Sequence, residues 1–209
     1  MAIAILDNPN EDGYLSWNGS VYTRSNALEF ISYGALCGAM LWTSDHRAYV
    51  EWDISSLAGG TLTANPIFKY HGKVVSATDE EINPLLEEAP SGATDANLYG
   101  YIATGVAYVN PFNHEVGETK QVDLGAAARA DLQAAMDIAQ AWFAIGFQSP
   151  ADEGAAEMTA LLSELYSEEA AEPAANPKPT LYVEYTLPAV GLETKSGNIA
   201  AKMVEAGLI

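Results

Sequence analysis

Oxygen-bearing side chains gather near the start of the chain, in DNPNEDG at residues 7–13. Asn8, Asn10 and Asp12 recur at alternate positions ahead of Gly13, the spacing of the first half of a calcium loop. An EF-hand begun at Asn8 would need a bidentate glutamate where this chain has Gly19, so that geometry is excluded. What survives is a non-EF site in which Asn8, Asn10 and Asp12 offer hard oxygen ligands to calcium. Its competitor is an ordinary Asx and proline turn. His46, His71 and His114 stand singly, and zinc would require them to converge in space; surface or strand-end positions are expected instead.

Aromatic rings offer a second chemistry. Trp52 is in phase with Val50 and Ile54 and belongs to a core. Tyr49 and Tyr99 are in phase with polar or small neighbours, which makes them the candidates for exposed platforms that stack on sugar rings. Motifs of covalent or phosphoryl chemistry are missing: the sequence has no GxGxxG, P-loop, GxSxG or HExxH. Acidic residues are too numerous to single out a glycosidase pair, which needs a fixed separation. The reading is therefore of a protein that is not an enzyme, with no cofactor beyond the calcium candidate.

Charge narrows the partners. Aspartate and glutamate total 28 against nine lysines and arginines, a formal net charge of −19. Nucleic acid and anionic membrane surfaces carry the same sign, so neither is expected as a direct partner. Cys37 is the single cysteine, which excludes an internal disulfide framework; within GALCGAMLW it reads as a buried, inert thiol. No apolar run reaches the length of a membrane span, and MAIAILDNPNEDG lacks the basic region of a signal peptide.

The elements that must position these residues are mostly strands. In RAYVEWDIS, Ala48, Val50, Trp52 and Ile54 alternate with Arg47, Tyr49, Glu51 and Asp53, the period of a half-buried strand. A turn over residues 55–60 leads into a second extended segment over 61–70, with a break at Pro66. One or two buried strands are expected within 27–43, and further strands over 98–109, 142–148 and 180–186. In the last, Leu181, Val183 and Tyr185 share a face. The alanine-rich stretch 125–140 has helical spacing, whereas 76–97 and 151–178 read as surface excursions. The pattern predicts a mainly β protein: an antiparallel, jelly-roll-like β-sandwich over 1–187 with one helical crossover.

RAYVEWDISSLAGGTLTANPIFKY resembles the shared core segment of DNRLRE-type, carbohydrate-binding-module-like β-sandwiches. In those, an arginine-led strand ends in an aromatic–Asp–hydroxyl run before a turn and a second strand. VDLGAAARADLQAAM is similar to their helical crossover, WFAIGFQ to the strand after it, and SELYSEE with PKPTLYVEYT to their closing segment. The resemblance spans roughly residues 45–186. It implies a binding or assembly module, and sandwiches of this kind also occur among phage virion structural proteins.

Beyond the last strand, SGNIAAKMVEAGLI has Ser196 placed as an N-cap and Gly207 as a stop. Ile199 and Met203 stack four apart, giving a short amphipathic C-terminal helix in a tail over 188–209. Ile199, Met203, Val204, Leu208 and Ile209 are the expected assembly contacts. Two functions follow as expectations. One is a structural or accessory virion protein, such as a capsid decoration component, made in the host cytoplasm and self-associating or contacting other capsid proteins. The alternative is a carbohydrate-binding or surface-adhesion module at an extracellular or cell-surface location, taking glycans as partners.

Overall fold

The computed structural model describes residues 1–26, 30–38, 41–74, 79–112, 116–117, 119–150, 161–167, 170 and 178–187. The side chains at 35–38, 41–43 and 161, Cys37 and Trp42 among them, lie outside that description, as do His114 and the whole tail 188–209. The strands are β1 (Ala2–Leu6), β2 (Glu11–Trp17), β3 (Tyr22–Ser25), β4 (Phe30–Gly38), β5 (Leu41–Asp53), β6 (Thr61–Leu62), β7 (Ile67–Val74), β8 (Glu81–Leu85), β9 (Thr119–Asp123), β10 (Trp142–Gln148), β11 (Leu161–Tyr166) and β12 (Thr180–Thr186). A 3-10 turn at Ser55–Leu57 and helices α1 (Asp95–Ile102) and α2 (Gly125–Asp137) complete the described elements. The protein is mainly β, and all pairs between its strands are antiparallel.

Two strands organise the topology. β5 pairs along one edge with β2 through residues 45–51. Its other edge is shared, with β4 against residues 41–46 and β10 against residues 48–53. β7 is divided in the same way. β9 runs along one edge, while β12 and then β11 occupy the other. A first ladder, β1–β12–β7–β9, is thereby joined through β7 to a second, β11–β4–β5 with β10–β8 and β2–β3. The break at Pro66 falls between β6 and β7, as the missing backbone donor dictates.

One apolar cluster takes residues from both ladders. Phe68, Leu181 and Val183 of the first meet Trp52, Ile145 and Phe147 of the second. The rings of Phe68 and Phe147 lie 5.6 Å apart, and that of Tyr33 lies 5.7 Å from Phe147. Ala48, Val50, Trp52 and Ile54 are fully buried, in the phase the sequence predicts. Helix α2 crosses from β9 to β10 and buries Ala128, Leu132, Ala135 and Met136.

Four expectations are corrected. Leu98 to Val109 is not a strand, because Thr94 caps α1 by accepting the Asn97 N–H, and Leu98 and Ile102 then bury one turn apart. The excursion over 76–97 contains β8, whose Pro84 is tolerated in the last strand of the sheet path. The excursion over 151–178 contains β11, an interior strand between β4 and β7. The polar phase of β5 is also covered: Tyr49 and Glu51 are as buried as the apolar phase.

Candidate functional site

The open surface of the first ladder follows from period two. Along β12, Leu181 and Val183 turn into the core, which leaves Tyr182 and Glu184 on the other face. Register carries that face across four strands, with Ile5 opposite Tyr182, Tyr182 opposite Ile67, and Ile67 opposite Asp123. A neighbouring row pairs Ile3 with Glu184. Ile3 is 59% exposed and Ile5 54%, unusual for isoleucines in a strand whose alternate residues pack on a core.

A groove of about 310 Å³ opens on this face, floored by Ile3, Ile67 and Tyr182 and rimmed by Asn65, Gln121, Asp123 and Glu184. Lys69 approaches the Tyr182 hydroxyl to 3.4 Å, with its ammonium 5.7 Å from the ring centroid. Asp123 is held by two donors: the Asn65 amide at 3.3 Å and the Gly125 N–H, at the start of α2, at 2.7 Å. The groove therefore combines an apolar floor, a half-buried phenol and a rim of carboxylates and amides.

The tyrosines expected to face glycans do not. Tyr49 is fully buried, and its hydroxyl donates to Glu11 Oε1 at 2.9 Å. Burial and the adjacent Glu11 push that phenol well above its ordinary range. Tyr99 lies on α1 rather than on a strand, 6% exposed beneath the Arg47 guanidinium, which is 4.0 Å from its ring centroid. The polar phase of β5 faces a second core, where Leu15, Tyr49, Leu85, Leu98, Tyr99 and Ile102 meet.

An ionic clamp fastens the cover of this second core. Arg24 donates to Asp95 at 3.0 Å, Glu11 at 3.1 Å, and the carbonyls of Pro90 and Ala93 at 2.9 and 2.6 Å. Buried Glu51 accepts from the Asn10 amide at 2.7 Å and from the Ser91 N–H and hydroxyl at 2.8 and 3.0 Å. Both networks tie residues 90–95 to β2, β3 and β5.

The calcium candidates occupy unlike surroundings. Asn8 is exposed, Asn10 spends its amide on Glu51, and Asp12 is a buried residue of β2 opposite Val50. Among the described residues, no group of three or more His, Cys, Asp or Glu side chains is gathered as a metal site. Asn18 forms a turn, its side-chain oxygen accepting the Ser20 and Val21 N–H groups.

His46 is buried rather than superficial. Ser44 Oγ lies 3.0 Å from Nε2 and Ser32 Oγ 3.3 Å from Nδ1, and the Tyr14 ring stacks 4.9 Å away. Burial lowers its pKa to about 4, so the ring is neutral near pH 7. Both serines are buried, which denies this Ser–His contact a substrate. His71, on β7, meets the Thr119 hydroxyl at 3.2 Å. The tail residues Ile199, Met203, Val204, Leu208 and Ile209 lie outside the described residues.

Sequence reasoning missed Tyr182, Ile3 and Ile5. The signal was present, because the inward phase of TLYVEYT leaves Tyr182 and Glu184 outward. No family model and no curated protein matches the chain. Among the described residues, no helix is long and apolar enough to cross a membrane.

Proposed function

We propose that this chain is a non-enzymatic structural subunit, an accessory or decoration component of a virus particle, that works by contact with neighbouring subunits. The observation that carries the reading is the pair Ile3 and Ile5, more than half exposed on the outward face of β1, beside Ile67 and Tyr182. Isoleucines in that setting lose stabilisation in water and regain it when covered by another surface. The resemblance to module-like sandwiches of virions supplies the type of assembly. The acidic remainder of the surface keeps such a subunit soluble until it docks.

Native mass measurement of the full chain, with imaging of particles from its source, tests this reading. Discrete oligomers or particle-bound subunits are expected. A chain that stays monomeric at every concentration and is absent from particles overturns it.

The groove supports a second reading, a carbohydrate-binding module. It places the half-buried Tyr182 ring among Asn65, Gln121, Asp123 and Glu184, groups that can pair with sugar hydroxyls. A glycan array distinguishes the two. Retention lost in Tyr182→Ala, with the chain monomeric throughout, favours the sugar.

A further inference from the structure

We propose that the outward face of the β1–β12–β7–β9 ladder is the seat of residues 188–209 of a neighbouring copy of this chain. The inference rests on the assembly reading and names the surface through which assembly occurs. The face presents Ile3, Ile5, Ile67 and Tyr182 inside a rim that includes Glu184 and Asp123. Its occupant must therefore bring apolar side chains without adding to a formal net charge of −19.

The segment 188–209 meets both demands. It carries two lysines, Lys195 and Lys202, against two glutamates, whereas the chain as a whole holds three acids for each base. Ile199 and Met203 stand four apart, one turn of a helix, with Lys202 beside them. An apolar stripe flanked by lysine complements an apolar groove rimmed by carboxylates.

Direction selects the neighbour over the chain's own face. β12 ends at Thr186, next to the Ala2 end of β1, and Leu187 is exposed. Leu187 precedes Pro188, and a residue before proline is biased toward extended backbone. An extended Leu187 carries the backbone on from that end of β12 rather than back toward the Tyr182 row. The stretch 188–198 spans up to about 36 Å before Ile199, enough to reach another subunit. A tail seated in the next copy is either returned reciprocally in a closed two-fold pair or propagated head to tail into rings or open arrays.

Two double variants of the full chain test the seat: Ile3→Glu/Ile5→Glu on the face and Ile199→Glu/Met203→Glu in the tail. Sedimentation velocity should show wild type assembling and each variant alone associating roughly tenfold more weakly or worse. An equimolar mixture of the two should recover a one-to-one pair, since one partner keeps a good face and the other a good tail. Unchanged circular dichroism certifies the fold, and Ile3→Ser/Ile5→Ser replaces the charged face variant should it misfold.

Assembly of the folded face variant at wild-type strength overturns the seat and leaves the assembly reading intact. A mixture that stays monomeric overturns the neighbour and points to the chain's own tail. Wild type that never assembles removes the assembly reading itself. Loss of glycan retention in a face variant that still assembles makes the groove a sugar site and overturns the inference.

Discussion

Ile5 of β1 and Tyr182 of β12 lie directly opposite one another, while the next pair along, Ala4 with Val183, packs toward the core. Adjacent residues of one strand therefore have opposite energetic roles. Replacing Ile5 with Thr should change the unfolding free energy measured by urea titration by no more than about 0.5 kcal/mol, the usual range for an exposed site. Leu181→Ala, on the buried phase, should cost about 2–5 kcal/mol. Equal costs at the two positions would contradict the phase of the ladder.

His46 predicts an acid-sensitive stability. Its pKa falls from 6.5 in the unfolded chain to about 4 in the fold, through burial. Below pH 6.5 the unfolded chain takes up a proton that the native state refuses, so stability declines as pH falls. The loss should total about 3 kcal/mol once pH has passed through the folded value. His46→Gln, which keeps a donor and an acceptor near Ser32 and Ser44, should remove this contribution from the pH profile. Denaturant titrations of both proteins at several pH values between neutrality and the folded pKa measure the difference.

The Arg24 clamp predicts a local effect. Arg24→Leu leaves Glu11, Asp95 and two carbonyls without their shared cation, at a cost of about 2 kcal/mol or more. Amide exchange should rise first in residues 90–102, which the clamp fastens, before it rises in β10 or β12. Uniform loss of protection would show that the clamp is not local.

Two glycines near α1 should respond with opposite signs. A Cβ at Gly146 would meet Ile102 Cγ2 at 2.9 Å, so Gly146→Ala should cost about 1–3 kcal/mol as β10 and α1 are forced apart. A Cβ at Gly100 would meet nothing within 4 Å, and Gly100→Ala should stabilise by about 0.5–1 kcal/mol. Thermal melting of both variants is sufficient.

Legibility in the sequence followed the strength of local pattern. β5, β10, β12 and α2 carry sustained periods of two or 3.6, and the chain folds them as the pattern dictates. β8 and β9 did not announce themselves, since EINPL contains a proline and TKQVD turns only one apolar residue inward. Thr94 was a readable cap, yet tyrosine and valine nearby argued for a strand, and the cap prevailed. Tyr49 and Tyr99 were misplaced for a global reason. Alternation assigns a residue to a face, but only the packing of α1 and residues 86–95 decides that this face is covered. The groove at Tyr182 was half legible, in phase but not in what lies across the neighbouring strands.

The position of β12 has a mechanical consequence. It is flanked by β1 along Ala2–Leu6 and by β7 at residues 67–69, and the exposed Leu187 follows it. A pull directed along β12 loads the ladder bonds on both of its edges together in shear rather than opening them one after another. The segment proposed to tether this subunit is thus attached to a strand held along both edges.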